Sequence, residues 1–428
     1  MDAEQALKID WQQKRFAVSI FNINLHEAIY SLSDALDLVG VTHIHHGKRV
    51  AYMATECGKY LGWHGRRLDD LFQAAILHDC GVSKTAVHLR LAQFEWELES
   101  EHCQAGAALL SASPLLRHLA PVVLQHHTHW SALKDLDLPE EETLNANCIY
   151  LVDRVDILSL KYLLSDTDIL LGKDEIRSAI LEKSGDWFCP ELVDAFMEIS
   201  DSEAFWFSLE TDRINSYVAS WLSESASQGM TFEELRSLVH LFSRIVDAKS
   251  TYTKQHSDGV AHLARLIGTL FEFPEETCEM LELAGLLHDI GKLRVPDELL
   301  EKPGKLTKAE TITMLRHSFD TYCILKNIRG FEKIALWAAQ HHERVDGSGY
   351  PYHTKNEHLS LEARIVAAAD VFQALAQRRP YREPMNTTQI IDILKQQVEN
   401  DKLDRKVVAM IETHLHACWQ AATQAMPE

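Results

Sequence analysis

The second half of the chain sets out seven residues that together can hold divalent metal: His256, His288, Asp289, His317, His341, His342 and Asp370. A lone histidine on an apolar helix is usually a satisfied core residue. Five imidazoles and two carboxylates gathered in one helical core are another matter, because burying them unpaired is costly and divalent cations take these ligand types. Adjacent His288 and Asp289 cannot face one direction on a regular helix, so they suit a helix end from which both reach the same ion cluster. A carboxylate has two oxygens. Asp289 can therefore join two ions, leaving His256, His288 and Asp370 to one and His317, His341 and His342 to the other. Two such ions clamp a phosphodiester, lower the pKa of a bridging water and stabilise charge on the attacked phosphoryl group. The expected chemistry is P–O hydrolysis.

Helices must position these groups. Between Thr231 and Lys249, Leu235, Leu238, Val239, Phe242, Ile245 and Val246 recur at intervals of three and four, which is one apolar helix face. Thr231 with Glu234, and Thr307 with Glu310, stand in capping-box spacing. Period-two alternation is nearly absent, so the fold class expected is all-α. The small, polar run from Ser223 to Gly229 has no periodicity and reads as a linker. The expected domains are 1–222 and 231–428, joined through 223–230.

The polar residues repeat across that boundary. His256 stands 32 residues before His288-Asp289, and His46 stands 32 before His78-Asp79. HGKRVA at His46 parallels HSDGVA at His256, and AAILHDCG at Ala74 parallels AGLLHDIG at Ala284. His317 lies 24 residues before His341-His342, and His102 lies 24 before His126-His127. Asp153 in IYLVDRVDIL then answers Asp370 in IVAAADVFQAL. The whole chain reads as a duplication that has diverged.

Composition narrows the partners. A net charge of -21 over 428 residues argues against duplex nucleic acid or an anionic membrane surface, both of which reward basic stripes. No apolar run approaches the roughly 18 residues that span a bilayer. The eight cysteines include no C-x-x-C pair, so neither a zinc ribbon nor a disulfide framework is suggested. A soluble protein of the reducing cytoplasm is expected.

HDIGK at His288 to Lys292 and HHERVDGSGYP at His341 to Pro351 resemble the HD-GYP phosphodiesterases. The likeness runs on through KPGKLT at Lys302, ARIVAAADVFQAL at Ala363 and RPYR at Arg379 to Arg382, covering most of the second half. It implies two tandem HD-type helical domains, a multi-metal centre and cleavage of a bacterial cyclic dinucleotide to its linear form. It further implies that Asp289 and Lys292 are catalytic, the Lys292 ammonium stabilising charge that develops on the scissile phosphate. By the same resemblance Gly349, Tyr350 and Pro351 form the loop against the nucleotide, and Arg379 and Arg382 hold phosphate or guanine edges. Two departures stand out. Tyr252 replaces a glutamate found in three-metal members, which favours two ions, and Arg378 replaces a common aspartate. Iron or manganese is the expected metal, with nickel, cobalt, zinc and magnesium as alternatives, since mixed imidazole and carboxylate sites accept several ions. The paired layout is similar to that of 3',3'-cGAMP phosphodiesterases, which makes 3',3'-cGAMP the expected substrate and c-di-GMP the alternative. A non-catalytic dinucleotide receptor is the competing function.

The first half keeps His46, His78, Asp79, His102, His126, His127 and Asp153. THWSALKD stands after its histidine pair in place of ERVDGSGYP, and Val82 takes the position of Lys292. This half is expected to lack catalysis and to regulate or to form a homodimer. It either retains metal at a second site or satisfies its histidines by mutual hydrogen bonds with Asp153.

Overall fold

The computed structural model describes residues 19–39, 45–82, 101–163, 168–249, 256–377 and 383–423. Helices dominate it. The exception is a two-stranded antiparallel ribbon, β1 (Ile20–Ile23) with β2 (Gln228–Thr231), in register Ile20 to Thr231 and Ile23 to Gln228. Part of the segment read as linker is therefore a strand. Four residues are too few to register as an alternation in sequence, and the pairing partner lies some two hundred residues away. Phe21, Ile23 and Met230 are buried on the ribbon's inner side.

Each strand feeds the first helix of its own half: β1 leads to α1 (Leu25–Leu36), and β2 leads to α7 (Phe232–Lys249). The duplication thus includes a strand and a helix upstream of the first histidine. The first half continues with α2 (His46–Tyr60), α3 (Arg66–Leu77), α4 (Glu101–Ser111), α5 (Ala120–Gln125) and α6 (Glu140–Leu163). The second half repeats the order with α8 (His256–Leu270), α9 (Glu275–Leu287), α10 (Lys308–Leu325), α11 (Glu332–Ala339) and α12 (Leu361–Ala376). Both sequence-read capping devices form. Thr231 N–H donates to Glu234 at 2.9 Å and Glu234 N–H returns to the Thr231 hydroxyl at 3.3 Å; Thr307 and Glu310 do the same at 2.7 and 3.3 Å. Caps of this kind stabilise a helix by about 1 kcal/mol.

Apolar burial holds α8, α9 and α12 together. Val260, Leu263, Ala264 and Ile267 of α8 meet Leu281, Ala284 and Leu287 of α9 and Ile365, Val366, Ala369 and Phe372 of α12, all buried. Each large side chain in such a core contributes on the order of 1.5–3 kcal/mol. Helix α12 is apolar almost all round, so its buried Asp370 needs a specific partner. At the crossing of α8 and α9 a Cβ on Gly285 would lie 2.6 Å from Ala261 Cα. Only glycine allows that approach, and the approach is what brings the end of α9 to the start of α8.

The halves pack directly on each other. Helix α1 lies against α10 and against the tight 3-10 turn Ile290–Arg294 of the second half. Arg329 donates to Glu27 from its backbone at 2.9 Å and its side chain at 2.6 Å. The eight cysteines are all free thiols, and among the described residues no helix is long and apolar enough to cross a membrane.

Candidate metal centre

Helix ends and helix middles deliver the seven second-half residues to one point. His256 opens α8, His288 caps the C-terminus of α9 with Asp289 beginning the next turn, and His341-His342 follow α11. His317 and Asp370 project from within α10 and α12. One group is His256, His288 and Asp370, another His317, His341 and His342, and His288, Asp289 and His341 form a third that joins the two. His256 Nε2 lies 3.2 Å from His288 Nε2 and 3.2 Å from Asp370 Oδ1. His317 Nε2 lies 3.3 Å from His341 Nε2. Asp289 stands between the groups with one oxygen for each: Oδ2 is 3.2 Å from His288 and 3.7 Å from His256, while Oδ1 is 3.5 Å from His317 and 3.7 Å from His341. His342 Nδ1 reaches Asp370 Oδ2 at 4.0 Å.

The hydrogen bonds behind the rings show what these contacts require. His288, His317 and His341 each donate from Nδ1 to the carbonyl three residues earlier, on Gly285, Met314 and Ala338, at 2.7, 2.6 and 2.6 Å. A neutral ring that donates through Nδ1 has only a lone pair at Nε2. The short pair between His317 and His341 therefore sets two lone pairs face to face, and buried Asp289 Oδ1 beside them has no hydrogen-bond partner. A shared cation removes the conflict. Two nitrogens bound about 2.1 Å from one ion sit roughly 3.0–3.4 Å apart, the spacing seen here. The donor set fits divalent metal, and the Nδ1 bonds fix the tautomer that metal needs.

Electrostatics support the same state. Burial pushes His317 down to about 4 and His342 down to about 3, so both are neutral and available as ligands at ordinary pH. Although burial opposes it, His288 and Lys292 hold Asp289 well below the usual carboxylate range. His78 in the first half is likewise lowered to about 4 by burial. A histidine whose folded pKa is depressed contributes stability that is present above its ordinary value of about 6.5 and lost as pH falls toward the folded value. Thermal unfolding in chelator should thus show a midpoint that declines between pH 6.5 and about 4. His46 runs the other way: burial opposes charging it, but Asp153 and Asp156 raise it to about 10, so its contribution is complete below pH 6.5 and is lost as pH rises through 10. An acid-side midpoint that stays flat would contradict neutral buried histidines.

Lys292 sits on the turn after Asp289 and donates to Asp289 Oδ2. Tyr350 lies over His342 with ring centroids 4.8 Å apart and is 6.3 Å from the His317 ring. Its loop contains Gly347 at φ +78 and a cis Tyr350-Pro351 bond. A Cβ on Gly349 would fall 2.4 Å from Glu343 Cα, so the loop folds back onto its own root. Arg379 and Arg382, with Arg378 and Tyr252, lie outside the described residues.

Sequence reasoning passed over four supporting residues. Buried Glu343 accepts from Tyr352 N–H at 2.7 Å and Thr354 N–H at 2.9 Å, anchoring the loop that carries Tyr350. Gln373, one turn beyond Asp370, bonds His256 Nδ1. Thr321 accepts from Gly291 N–H at 3.1 Å and donates to the His288 carbonyl at 3.0 Å. A Cβ on Gly291 would meet the His317 carbonyl at 2.0 Å, so only glycine lets the turn after Asp289 pack this closely on α10. Glu343 and Gly291 lie inside quoted motifs, and the 117-residue separation of Gln373 from its ring explains its omission.

The first-half residues also converge. His46 Nε2 and His78 Nε2 are 3.2 Å apart, and Asp79 faces His78 at 3.5 Å through Oδ2 and His102 at 3.7 Å through Oδ1. Where the second half has its glycine loop, Trp130–Leu133 is a short helix, and His129 stacks on Trp187 with centroids 4.8 Å apart.

A tandem of helical domains, each gathering histidines and aspartates from matching helix ends, defines the HD class of metal-dependent hydrolases. HD domain models match residues 240–407 and 44–158. The chain is 36% identical over 411 residues, 95% of each chain, to 3'3'-cGAMP-specific phosphodiesterase 1 of Vibrio cholerae serotype O1. It is 30% identical over 331 residues to phosphodiesterase 3 of the same name and organism, spanning 77% of this chain and 70% of that one. A crystal structure of a cyclic GMP-AMP-specific phosphodiesterase from V. cholerae shares the fold, with a TM-score of 0.63 at 24% identity over 92% of this chain and 98% of the other. This chain belongs to the HD-GYP family of cyclic dinucleotide phosphodiesterases.

Proposed function

We propose that the second half hydrolyses 3',3'-cGAMP to the linear dinucleotide at a centre of two divalent ions, iron or manganese, while the first half does no catalysis. The carrying observation is the stance of Asp289, whose two oxygens address two separate imidazole groups. When bound, the ions polarise the phosphoryl group and lower the pKa of water held between them.

The chain's own residues supply the rest. Nδ1 bonds to carbonyls keep His288, His317 and His341 oriented with no rotamer to search when substrate arrives. Lys292 places an ammonium at the edge of the centre, on Asp289, where it faces charge developing on the phosphate. Gly349, Tyr350 and Pro351 form one wall beside His342, and Tyr350 offers a ring face for a base or ribose. Arg379 and Arg382 are assigned to the nucleotide by their place in RPYR. The boundaries 1–222 and 231–428 remain our division of the chain, with α1 packed on the Lys292 turn as the route by which the first half could influence the second.

The nucleotide preference rests on the two relatives, whose likeness spans 95% and 77% of this chain. Purified protein reconstituted with Mn(II) or Fe(II), offered 3',3'-cGAMP, c-di-GMP and c-di-AMP separately, should release linear product fastest from 3',3'-cGAMP. Faster cleavage of c-di-GMP would reverse the preference. Saturable binding without product would replace the enzyme by a receptor.

A further inference from the structure

On the reading that a cyclic dinucleotide is the substrate, we propose that Arg344 binds it, the guanidinium holding the phosphate that the metal centre does not attack. Arg344 stands two residues after His342, at the root of the loop that carries Tyr350. That root is tight: a Cβ on Gly349 would fall 2.4 Å from the Arg344 backbone nitrogen. Nearby cations have acceptors. Lys292 donates to Asp289, and Lys402 donates to Asp346 of the same loop at 2.7 Å. Arg344 pairs with no carboxylate among the described residues, and its Nη1 is buried with no hydrogen-bond acceptor. A guanidinium nitrogen withdrawn from water and left unpaired is costly, and a bound anion removes that cost.

Tyr350 connects this group to the centre. The Arg344 charge pulls the Tyr350 hydroxyl down, against the burial and the Asp370 and Asp289 charges that together raise it. The same ring lies over His342 with centroids 4.8 Å apart. Arg344 is therefore beside the wall of the site without belonging to the ligand cluster. A cyclic dinucleotide carries two phosphodiesters on one ring. While the ions and Lys292 engage the attacked one, the other keeps its full charge, and a forked N–H donor suits its oxygens. In a chain of net charge -21, positive charge for that anion has to be local.

The first half lacks this group as it lacks the lysine. Val82 stands in the place of Lys292, and His129 stands in the place of Arg344. The His129 ring stacks on Trp187 with centroids 4.8 Å apart and on Tyr150 at 5.8 Å, so packed rings fill the position. Both cations are confined to the copy that carries the glycine loop.

Full-length protein loaded with Mn(II) tests the assignment. Arg344→Gln should raise KM for 3',3'-cGAMP by roughly 10- to 100-fold, the loss expected of one hydrogen bond to a charged group, while kcat and metal content hold. Arg344→Lys should recover part of the loss, because it keeps the charge and gives up the fork. Calorimetric titration with 3',3'-cGAMP, c-di-GMP and c-di-AMP should show the same factor for all three, since the phosphates are common to them. An unchanged KM in folded Arg344→Gln overturns the contact. Weakening confined to the guanine-bearing nucleotides gives Arg344 a base edge and overturns the phosphate role. A fall in kcat together with metal loss makes it a support of the loop and overturns binding. Should the parent release no product, the reading of the second half as an enzyme fails, and the ratio of parent to variant Kd for 3',3'-cGAMP still decides the part of Arg344.

Discussion

Asp289→Ala should lose phosphodiesterase turnover by about 10³-fold or more and give up bound metal together with it. Among the described residues Asp289 is the carboxylate whose two oxygens stand within 3.7 Å of imidazoles in both groups. A bound ion provides several kcal/mol of transition-state charge stabilisation, and about 4 kcal/mol corresponds to roughly a thousandfold in rate. Without Asp289 the lone pairs of His317 and His341 face each other 3.3 Å apart with no carboxylate between the groups. Lys292 would simultaneously lose its acceptor. Elemental analysis beside a product assay reads the outcome, and the two should fall in parallel. Turnover near the parent's with full metal content would remove Asp289 from the centre. Asp289→Asn is the instructive companion, since it keeps the volume but leaves a single acceptor oxygen and should also fail to join the groups.

Lys292→Ala should separate the two readouts. Its ammonium contacts Asp289 from outside the imidazole groups and is itself no metal ligand. Metal content should therefore hold while kcat drops by about 10²–10³-fold, the usual cost of removing one positioned donor to developing charge. An interaction made chiefly in the transition state lowers kcat and leaves KM little changed. A rise in KM at constant kcat would reassign Lys292 to ground-state binding. Concurrent metal loss would instead make it a positioning residue for Asp289. Lys292→Arg should recover little, because a forked guanidinium does not fit the place of a point charge on a short turn.

The convergence of these histidines and aspartates into clusters able to hold metal was legible because their chemistry is carried by residue type. Histidines and aspartates recurring at spacings of 32 and 24 in an apolar background imply a buried polar cluster, and nothing in a helical core stabilises one as well as metal. The helices were legible for a related reason: apolar intervals of three and four and the Thr231 and Thr307 caps are local signals, and local bonds satisfied them. Strand β2 was not legible, since its partner β1 is distant in sequence and four residues carry no usable period. Gln373 and Thr321 escaped for the same cause. Each acts through a side-chain direction that residue type leaves open.

Sequence by itself determined that the chain is helical, duplicated and furnished twice with metal-binding residue types, because periodicity and spacing survive without coordinates. It also marked the second copy as the one with a lysine and a glycine loop. The division of the ligands into two groups was drawn from the sequence; tertiary structure alone set which nitrogen meets which oxygen, through the crossing of α8 and α9 at Gly285 and the turn at Gly291. It alone showed that Asp370 and Asp153 face the first histidine of their halves alike, at 3.2 and 3.3 Å, while the other oxygen of Asp153 pairs with Arg154. Matching ligand lists take matching places, and what stands beside them is decided by neighbours in space, which packing fixes.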